Sequence, residues 1–419
     1  MTMPQYYIWT IGCQMNKAET ERLDSFFKGQ GYQSTKSADK ADIIVLNSCV
    51  VRQNAENRII NKLKNFKPLK KTSPGITLAV TGCLVDSDIE QLVKTFPYVD
   101  HFFKPGEPPP WLDGIDSRHF TPLQPSPSTF VPIIQGCDNF CSYCIVPYRR
   151  GRENSRPLDE IVCEVKELIR RGVKEIILLG QNVDSYGHDL PDKPELADLL
   201  EELNTIEGLA RIRFLTNHPK DMNQRLIDSI ANIDKVCEHI HIPLQSGDND
   251  ILKAMRRGYT AERYCELIKE IRYKIPNVAL STDVIVGFPS ESKSQFQHTF
   301  DLLSEIRFDT VHIAAYSPRL GTIAARELDD NVPVNEKMER FNKIERLQRR
   351  IAAEINDELL GKTVEVLVEN KEKDKWKGRT RSDKLVFFHK NSDYLGQIVK
   401  IRIEKASPWS LQGKIESFL

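Results

Sequence analysis

The stretch FVPIIQGCDNFCSYC, residues 130–144, runs an apolar strand signal straight into three cysteines, Cys137, Cys141 and Cys144, spaced C-x3-C-x2-C. A thiol cluster this dense is a disulfide knot, a zinc site or an iron–sulfur site. A structural zinc would want a fourth Cys or His nearby. The nearest histidines, His119 and His188, lack zinc-finger spacing. A cluster iron, by contrast, can leave one coordination place to a small molecule.

The same stretch opens a series of β/α units. Strand signals recur at FVPIIQ (130–135), KEIILLG (174–180), RIRFL (211–215), EHIHIPL (238–244), VALSTDVIVG (278–287) and DTVHIAAY (309–316), with helical patterns between them. Six such units predict a closed or partly closed barrel. The cysteine triplet then lies on the loop after the first barrel strand, at the end where barrel active sites form. Residues 335–360 place Met338, Phe341, Ile344, Leu347, Ile351 and Ile355 at spacings of three and four, which predicts a helix packed on the barrel.

Upstream, YYIWTIG (6–12), DIIVLN (42–47) and ITLAVTG (76–82) alternate with helical stretches at 17–31, 51–66 and 88–96. This order predicts a doubly wound parallel sheet. KPGEPPP (104–110) and TPLQPSPS (121–128) read as a proline-rich linker. Beyond residue 361 the pattern turns to short strands, predicting a small all-β barrel. The fold class is α/β, with segments 1–120, 123–356 and 358–419.

A second set of cysteines emerges from that layout. Cys13, Cys49 and Cys83 each follow the C-terminal end of a predicted parallel strand. Open α/β sheets bind ligands at that edge, so the three thiols can converge. One such cysteine would be read as a small core residue; three at equivalent positions point to a site. Gly12 and Gly82 precede two of them and leave room for a bulky ligand. Cys163, Cys237 and Cys265 show no such equivalence and are read as packing residues.

Bulk properties agree with a globular, reducing-compartment protein. The chain has 419 residues, 40% hydrophobic and 28% charged, with Lys+Arg and Asp+Glu both 59. No apolar run reaches the ~18 residues of a membrane helix, and the N-terminal stretch is not a signal peptide. The cytoplasm is therefore expected, where nine cysteines argue for metal binding or catalysis over disulfides.

The triplet with Tyr143 as its aromatic resembles the signature of the radical S-adenosylmethionine (SAM) superfamily. GCQMN (12–16), NSCVVRQNAENR (47–58) and TGCLVDS (81–87) are similar to the N-terminal domain of the methylthiotransferases of that superfamily. GQIVKIRIEKASPWSLQGKI (396–415) resembles a TRAM domain, an RNA-binding barrel. The resemblance implies one 4Fe–4S cluster on Cys137, Cys141 and Cys144, whose open iron binds SAM, and a second on Cys13, Cys49 and Cys83. It implies two SAM molecules, one methylating sulfur at the second cluster and one yielding a 5′-deoxyadenosyl radical. By the same analogy Tyr143, Gln181, Ser281, Asp283 and Val286 are the SAM contacts.

CIVPYRRGRENSRP (144–157), LLGQNVDSYG (178–187), PLQSGDNDILKAMRRGYT (243–260) and STDVIVGFPSES (281–292) are most similar to the subfamily acting on dimethylallyladenosine beside the tRNA anticodon. Subfamilies acting on threonylcarbamoyladenosine tRNA or on a ribosomal-protein aspartate are the alternatives. Ser290 and Ser292 depart from the family's GFPGET and read as neutral; Gln53, where the family more often has Glu, is a weaker departure. A flavodoxin or ferredoxin as reductant, a sulfur donor and a monomeric state are implied.

Two readings from other classes remain. A zinc-bearing RNA-binding protein explains one triplet only. A cobalamin-binding N-terminal domain would carry D-x-H-x-x-G, which this sequence lacks.

Residues 360–419 hold 13 Lys+Arg against 8 Asp+Glu, an excess of five in a neutral chain. Lys375, Lys377, Arg379 and Arg381, with Lys373, surround Trp376, a pattern of phosphate contacts about a stacking face. A solvated charged strand edge is the plainer alternative. Arg149, Arg150, Arg152 and Arg156 could meet RNA phosphate or local acids.

Overall fold

The computed structural model describes residues 3–49, 53–85, 89–112, 121–389 and 392–418. Val50, Val51 and Arg52, the side chain of Gln53, Asp86, Ser87, His119 and the predicted domain ends at 1, 120 and 419 lie outside the described residues.

The first region is a parallel sheet of β1 (Gln5–Thr10), β2 (Gln33–Ser34), β3 (Ile43–Ser48), β4 (Thr77–Gly82) and β5 (His101–Phe102), ordered β2-β1-β3-β4-β5. Helices α1 (Gln14–Gly29), α2 (Gln53–Thr72) and α3 (Ile89–Thr95) cover it. All six residues of β3 are buried, as expected for a central strand covered on both faces. β1, β3 and β4 are direct neighbours, so the loops after them meet at one edge.

The second region holds β6 (Ser128–Pro132), a hairpin-like pair of β7 (Ile134–Gln135) and β8 (Asn154–Ser155), then β9 (Glu175–Leu179), β10 (Arg211–Phe214), β11 (His239–His241), β12 (Ala279–Val286) and β13 (Thr310–Ala315). Parallel pairing joins β6, β9 and β10 in one sheet and β11, β12 and β13 in another. A bridge between Ile212 and Val236 links the two. The result is a partial (β/α)6 barrel in which β6 and β13 are not paired. Helices α4 (Val146–Arg150), α5 (Leu158–Arg170), α6 (Leu196–Asn204), α7 (Gln224–Asn232), α8 (Asn249–Ala254), α9 (Ala261–Lys274), α10 (Lys293–Ile306) and α11 (Ile323–Glu327) belong to this region. The single apolar run predicted over 130–135 is thus broken: its end turns away to pair with β8.

Helix α12 (Val334–Asp357) packs Ile344, Leu347 and Ile351 into the barrel core. Met338, expected on that face, is exposed. The third region is a closed barrel, ordered β14-β15-β16-β18-β17, of β14 (Thr363–Glu372), β15 (Lys375–Thr380), β16 (Leu385–His389), β17 (Ile398–Ala406) and β18 (Leu411–Phe418).

Three sequence expectations change here. Cys163 is exposed on α5 and is not a packing residue. Ser290 is not a neutral replacement for glycine: its φ is +64°, a conformation costing roughly 1–2 kcal/mol for an L-residue. Asn331 offsets this, accepting from Ser290 N at 2.7 Å and donating to Ser290 Oγ at 3.1 Å. Ser292 caps α10, its hydroxyl accepting from Gln295 N at 3.2 Å.

Two buried arginines on β10 fasten the C-terminal barrel. Arg211 donates to Arg379 O at 2.9 Å and to Glu365 at 2.7 Å. Arg213 donates to Arg381 O (2.9 Å), Thr380 O (3.0 Å) and the buried Glu175 (3.2 Å). Removing one partner of a buried pair costs ~3–5 kcal/mol, because the other charge stays behind. Arg213→Ala is therefore expected to lower the denaturation midpoint measurably. It should also let limited proteolysis release the C-terminal barrel before the rest unfolds.

Candidate active site

Cys13 follows β1 at the start of α1, Cys49 follows β3 and Cys83 follows β4. An asparagine pair aligns these strand ends. Asn16 Nδ2 donates to Asn47 Oδ1 (2.9 Å) and Ser48 O (3.0 Å), and Asn47 Nδ2 donates to Asn16 O at 2.8 Å. The Cys13 thiol donates to Asn16 Oδ1 at 3.4 Å. A hydrogen bond to Cys49, followed by burial, pushes the Cys83 thiol well up, and Cys13 is close enough to Cys83 for their charges to interact. The glycines do not open space for a ligand as expected. A side chain on Gly12 would strike Asn16 and Cys49, and one on Gly82 the Ser48 backbone.

Cys137, Cys141 and Cys144 sit between β7 and α4, at the C-terminal side of the barrel. Gln181, at the end of β9, holds this loop: its Oε1 accepts from Gly136 N at 2.6 Å. Burial pushes the Cys144 thiol up to about 12, with Cys141 and Cys137 adding to the rise. Burial also raises Cys137. Crowded, desolvated thiols are reluctant to ionise alone, and a cation that binds thiolates reverses this.

One buried arginine serves each triplet. Arg150 Nε donates to Cys83 Sγ at 3.2 Å, and Arg257 Nη1 donates to Cys141 Sγ at 3.3 Å. Among the described residues no three His, Cys, Asp or Glu side chains gather tightly enough to hold one metal ion. A structural tetrahedral zinc takes four donors, and each set offers three thiols. Sulfur-only donor sets spread over neighbouring loops fit an iron–sulfur cluster, which takes its ligands on separate irons.

All of Cys137, Cys141 and Cys144, and Cys13 of the other triplet, border one cavity of about 750 Å³. Cys13, Cys137, Cys141, Cys144, Tyr143, Gln181, Ser281 and Asp283 line it, and so does Arg379 of the C-terminal barrel. Ser281 Oγ is engaged with His241 Nδ1 (2.9 Å) and His239 Nε2 (3.1 Å), and Asp283 with His241 Nε2 at 3.1 Å. Val286 is instead fully buried in the barrel core, facing away from the cavity lining, which removes it from the contact set.

The cavity wall carries polar atoms with nothing to bond. Asn182 Oδ1, Asn217 Oδ1, His218 Nε2 and Gln245 Oε1 are buried without a hydrogen-bond partner among the described residues. Burial holds the His218 pKa down to about 2. Its Nδ1 accepts from Lys220 N at 3.2 Å, so the neutral ring presents Nε2–H to the cavity. Such groups cost about 1–3 kcal/mol each when unsatisfied, the signature of a wall built for a polar ligand. Asn182 and Gln245 stand inside the quoted phrases LLGQN and LQSG, where a phrase-level signal existed. Asn217 and His218 had none.

The basic cluster around Trp376 is corrected. Trp376 is 5% exposed, packed against Tyr394 in the C-terminal core, and offers no stacking face. Arg381 is spent on Glu238 at 2.6 Å, Lys377 on Glu372 at 2.7 Å and Arg379 on Asp383 at 3.2 Å. Lys375 is half-buried on β15. Arg150 pairs with Glu19 at 2.7 Å, Arg152 with Asp138 at 2.8 Å and Arg156 with Glu164 at 2.6 Å.

Residues 131–303 match the Radical SAM superfamily, residues 5–104 the Uncharacterized protein family UPF0004, and residues 357–415 the TRAM domain. The chain is 52% identical over 417 residues to a tRNA-2-methylthio-N(6)-dimethylallyladenosine synthase of Dehalococcoides mccartyi (strain CBDB1), covering 100% of both chains. It is 47% identical to one of the same name from Herpetosiphon aurantiacus, covering 99% of this chain and 98% of the other. Among solved structures it is similar to a radical SAM methyltransferase of Kitasatospora setae with cobalamin and a [4Fe-4S] cluster bound. That likeness has a TM-score of 0.54 at 13% identity, over 77% of this chain and 74% of the other, and shows the fold alone.

Gly136 gives a direct test of the loop. Its φ is +82°, and a Cβ there would lie 2.0 Å from Arg152 O. Gly136→Ala carries a left-handed backbone penalty of roughly 1–2 kcal/mol plus that clash. It is expected to retain less iron than the parent after anaerobic reconstitution, with an unchanged far-ultraviolet dichroism spectrum.

Proposed function

The chain belongs to the family of tRNA-2-methylthio-N(6)-dimethylallyladenosine synthases, and from that premise we propose how its residues divide the work. It is an enzyme, a radical SAM methylthiotransferase that converts dimethylallyladenosine in tRNA to its 2-methylthio derivative. SAM and a 4Fe–4S cluster are its cofactors. In the proposed assignment Cys137, Cys141 and Cys144 hold that cluster, and Cys13, Cys49 and Cys83 hold a second. The observation that carries this is one cavity lined by Cys137, Cys141, Cys144 and Cys13, with Cys13 and Cys49 both beside Cys83.

Bound there, the clusters with SAM supply radical chemistry able to open an unreactive aromatic C–H bond, and the sulfur that replaces the hydrogen. The chain's own residues do the positioning. Gln181 fixes the loop of the first triplet through Gly136 N. Arg257 and Arg150 each direct an N–H at one sulfur. Asn182 and Asn217 offer acceptors, and His218 a donor, to the polar groups of SAM. Ser281 and Asp283 reach the same cavity through the His239 and His241 network. The target base must leave its stack to enter.

The remaining assignments belong to this reading. The segments 1–120, 123–356 and 358–419 act as sulfur-delivering, radical and RNA-binding units. The substrate position is the anticodon loop, a flavodoxin or ferredoxin is the reductant, a separate donor provides sulfur, and the monomer works in the cytoplasm. Among the described residues no helix is long and apolar enough to cross a membrane.

Anaerobic reconstitution is expected to give about eight irons per chain, two four-iron clusters' worth. Cys13→Ala should lose about half of them. Saturation at half that level, with no loss in Cys13→Ala, would overturn the second cluster. In a deletion strain, mass spectrometry of tRNA nucleosides should show the methylthio form gone and its dimethylallyl precursor accumulated. An unchanged profile would point to the ribosomal-protein substrate.

A further inference from the structure

The cavity does not end inside the radical SAM barrel. It runs from the strand ends that carry the cysteines to Asp309 and Thr310 at the start of β13, where the C-terminal barrel forms its wall. Two residues of that far wall stand out. Trp409 is 57% exposed and lines the cavity. Asn356, at the end of α12, is 5% exposed and lines it too.

Trp409 stands at the tip of a braced turn between β17 and β18. Ser407 N donates to Ser410 O at 2.9 Å, Ser407 Oγ donates to the same oxygen at 2.8 Å, and Ser410 N donates to Ser407 Oγ at 3.1 Å. Pro408 stiffens the turn further. Asn356 Nδ2 donates to Ser407 O at 2.8 Å and to Pro408 O at 3.3 Å, tying the turn to α12. The backbone that carries the indole is therefore held in place before any ligand arrives, so part of the ordering cost of packing against it is already met. The other atom of the same amide, Asn356 Oδ1, is buried with no partner among the described residues. It is an acceptor waiting for one N–H.

We propose that Trp409 and Asn356 form the wall that reads the N6-substituted edge of the target adenine. This rests on the dimethylallyladenosine reading of the substrate. Adenine carries its 2-position and its N6 group on diverging edges. With the 2-position turned toward the cysteine end, the N6 edge turns toward the C-terminal barrel. A dimethylallyl-substituted N6 keeps a single N–H, which matches one free acceptor at Asn356. Its apolar tail needs an apolar surface, which the Trp409 indole supplies. Recognition of the modified base is thus built into the domain boundary, not into a remote RNA-binding face.

The test compares two synthetic anticodon stem–loops, one carrying dimethylallyladenosine and one adenosine, bound to the reconstituted full-length enzyme by filter retention. Trp409→Ala is expected to weaken the dimethylallyl RNA roughly tenfold, the size of one branched apolar group returned to water. The adenosine RNA should change less than about twofold, well under the 1.4 kcal/mol of a tenfold effect. Trp409→Phe should recover most of the preference. Asn356→Ala, which removes both acceptor and anchor, should lose it. Equal weakening of both RNAs, or no change in either, overturns the proposal. The wild-type enzyme is assayed in parallel for 2-methylthio product on the dimethylallyl RNA. If product forms while the preference ignores Trp409, this wall is wrong and the function stands. If none forms, the function fails first and the wall with it.

Discussion

A single buried guanidinium sets the distance between the two thiol triplets. Arg150 ends α4, six residues beyond Cys144, yet its side chain crosses into the N-terminal region. There it meets Glu19 at 2.7 Å and Cys83 at 3.2 Å. Its side chain is 2% exposed, and a desolvated arginine is tolerable only when paired and hydrogen-bonded. Both partners come from the other domain, so the radical SAM loop cannot settle anywhere else without burying a lone charge. Arg22, Glu164 and Arg156 repeat the logic on the neighbouring face of α1, with Glu164 held between two arginines. Met15 and Ala18 then pack against Leu179 and Phe130. Polar pairs fix the register of the joint, and apolar contacts close it. This is why Cys13 opens into the cavity of Cys137, Cys141 and Cys144.

The C-terminal barrel is attached by the opposite economy of charge. Arg211 and Arg213 occupy alternate positions on β10, so both point to one face. They divide their donors between main-chain oxygens of residues 379–381 and the carboxylates of Glu365 and Glu175. Arg381 answers with a two-pronged contact to Glu238, and Lys384 with one to Asp309 at 2.7 Å. Arg381 and Lys384, two of the 13 basic residues of 360–419, are therefore structural. These contacts make an all-β module a wall of the cavity, beside the starts of β10, β11 and β13.

How much of this the sequence carried depends on the range of the interaction. The strand–helix alternation, the two cysteine sets and their places at strand ends are local patterns, and the chain shows them where local reasoning put them. Contacts between distant segments were invisible. Trp376 and Trp409 look alike as aromatic residues near basic ones. Only closure of the barrel decides that the first is core, because β15 turns it inward beside Phe388 and Tyr394. The arginines after Cys144 offered no clue that acids 131 residues earlier would claim one of them. Val286 sat in a suggestive phrase, but strand alternation turns it away from the cavity that Ser281 and Asp283 face.

The unpaired polar atoms around the cavity explain why the core is elsewhere so complete. The barrel interior packs dozens of fully buried aliphatic side chains, while Asn182, Asn217, His218, Gln245 and Asn356 each leave one atom unsatisfied. Replacing them with apolar residues would stabilise the free protein, since each such atom costs about 1–3 kcal/mol. It would also remove the fixed dipoles that a bound cofactor and base would otherwise meet without reorganisation. Asp184 shows the support this requires. It is buried beneath the wall, accepting from His218 N at 2.9 Å and from Asn217 Nδ2. Burial raises its pKa to about 7. The strain of a carboxyl kept there is tolerated because it aims two neighbours at the cavity. Stability is given up where a ligand would restore it, and several of the unpaired polar atoms accordingly gather on the wall of one cavity.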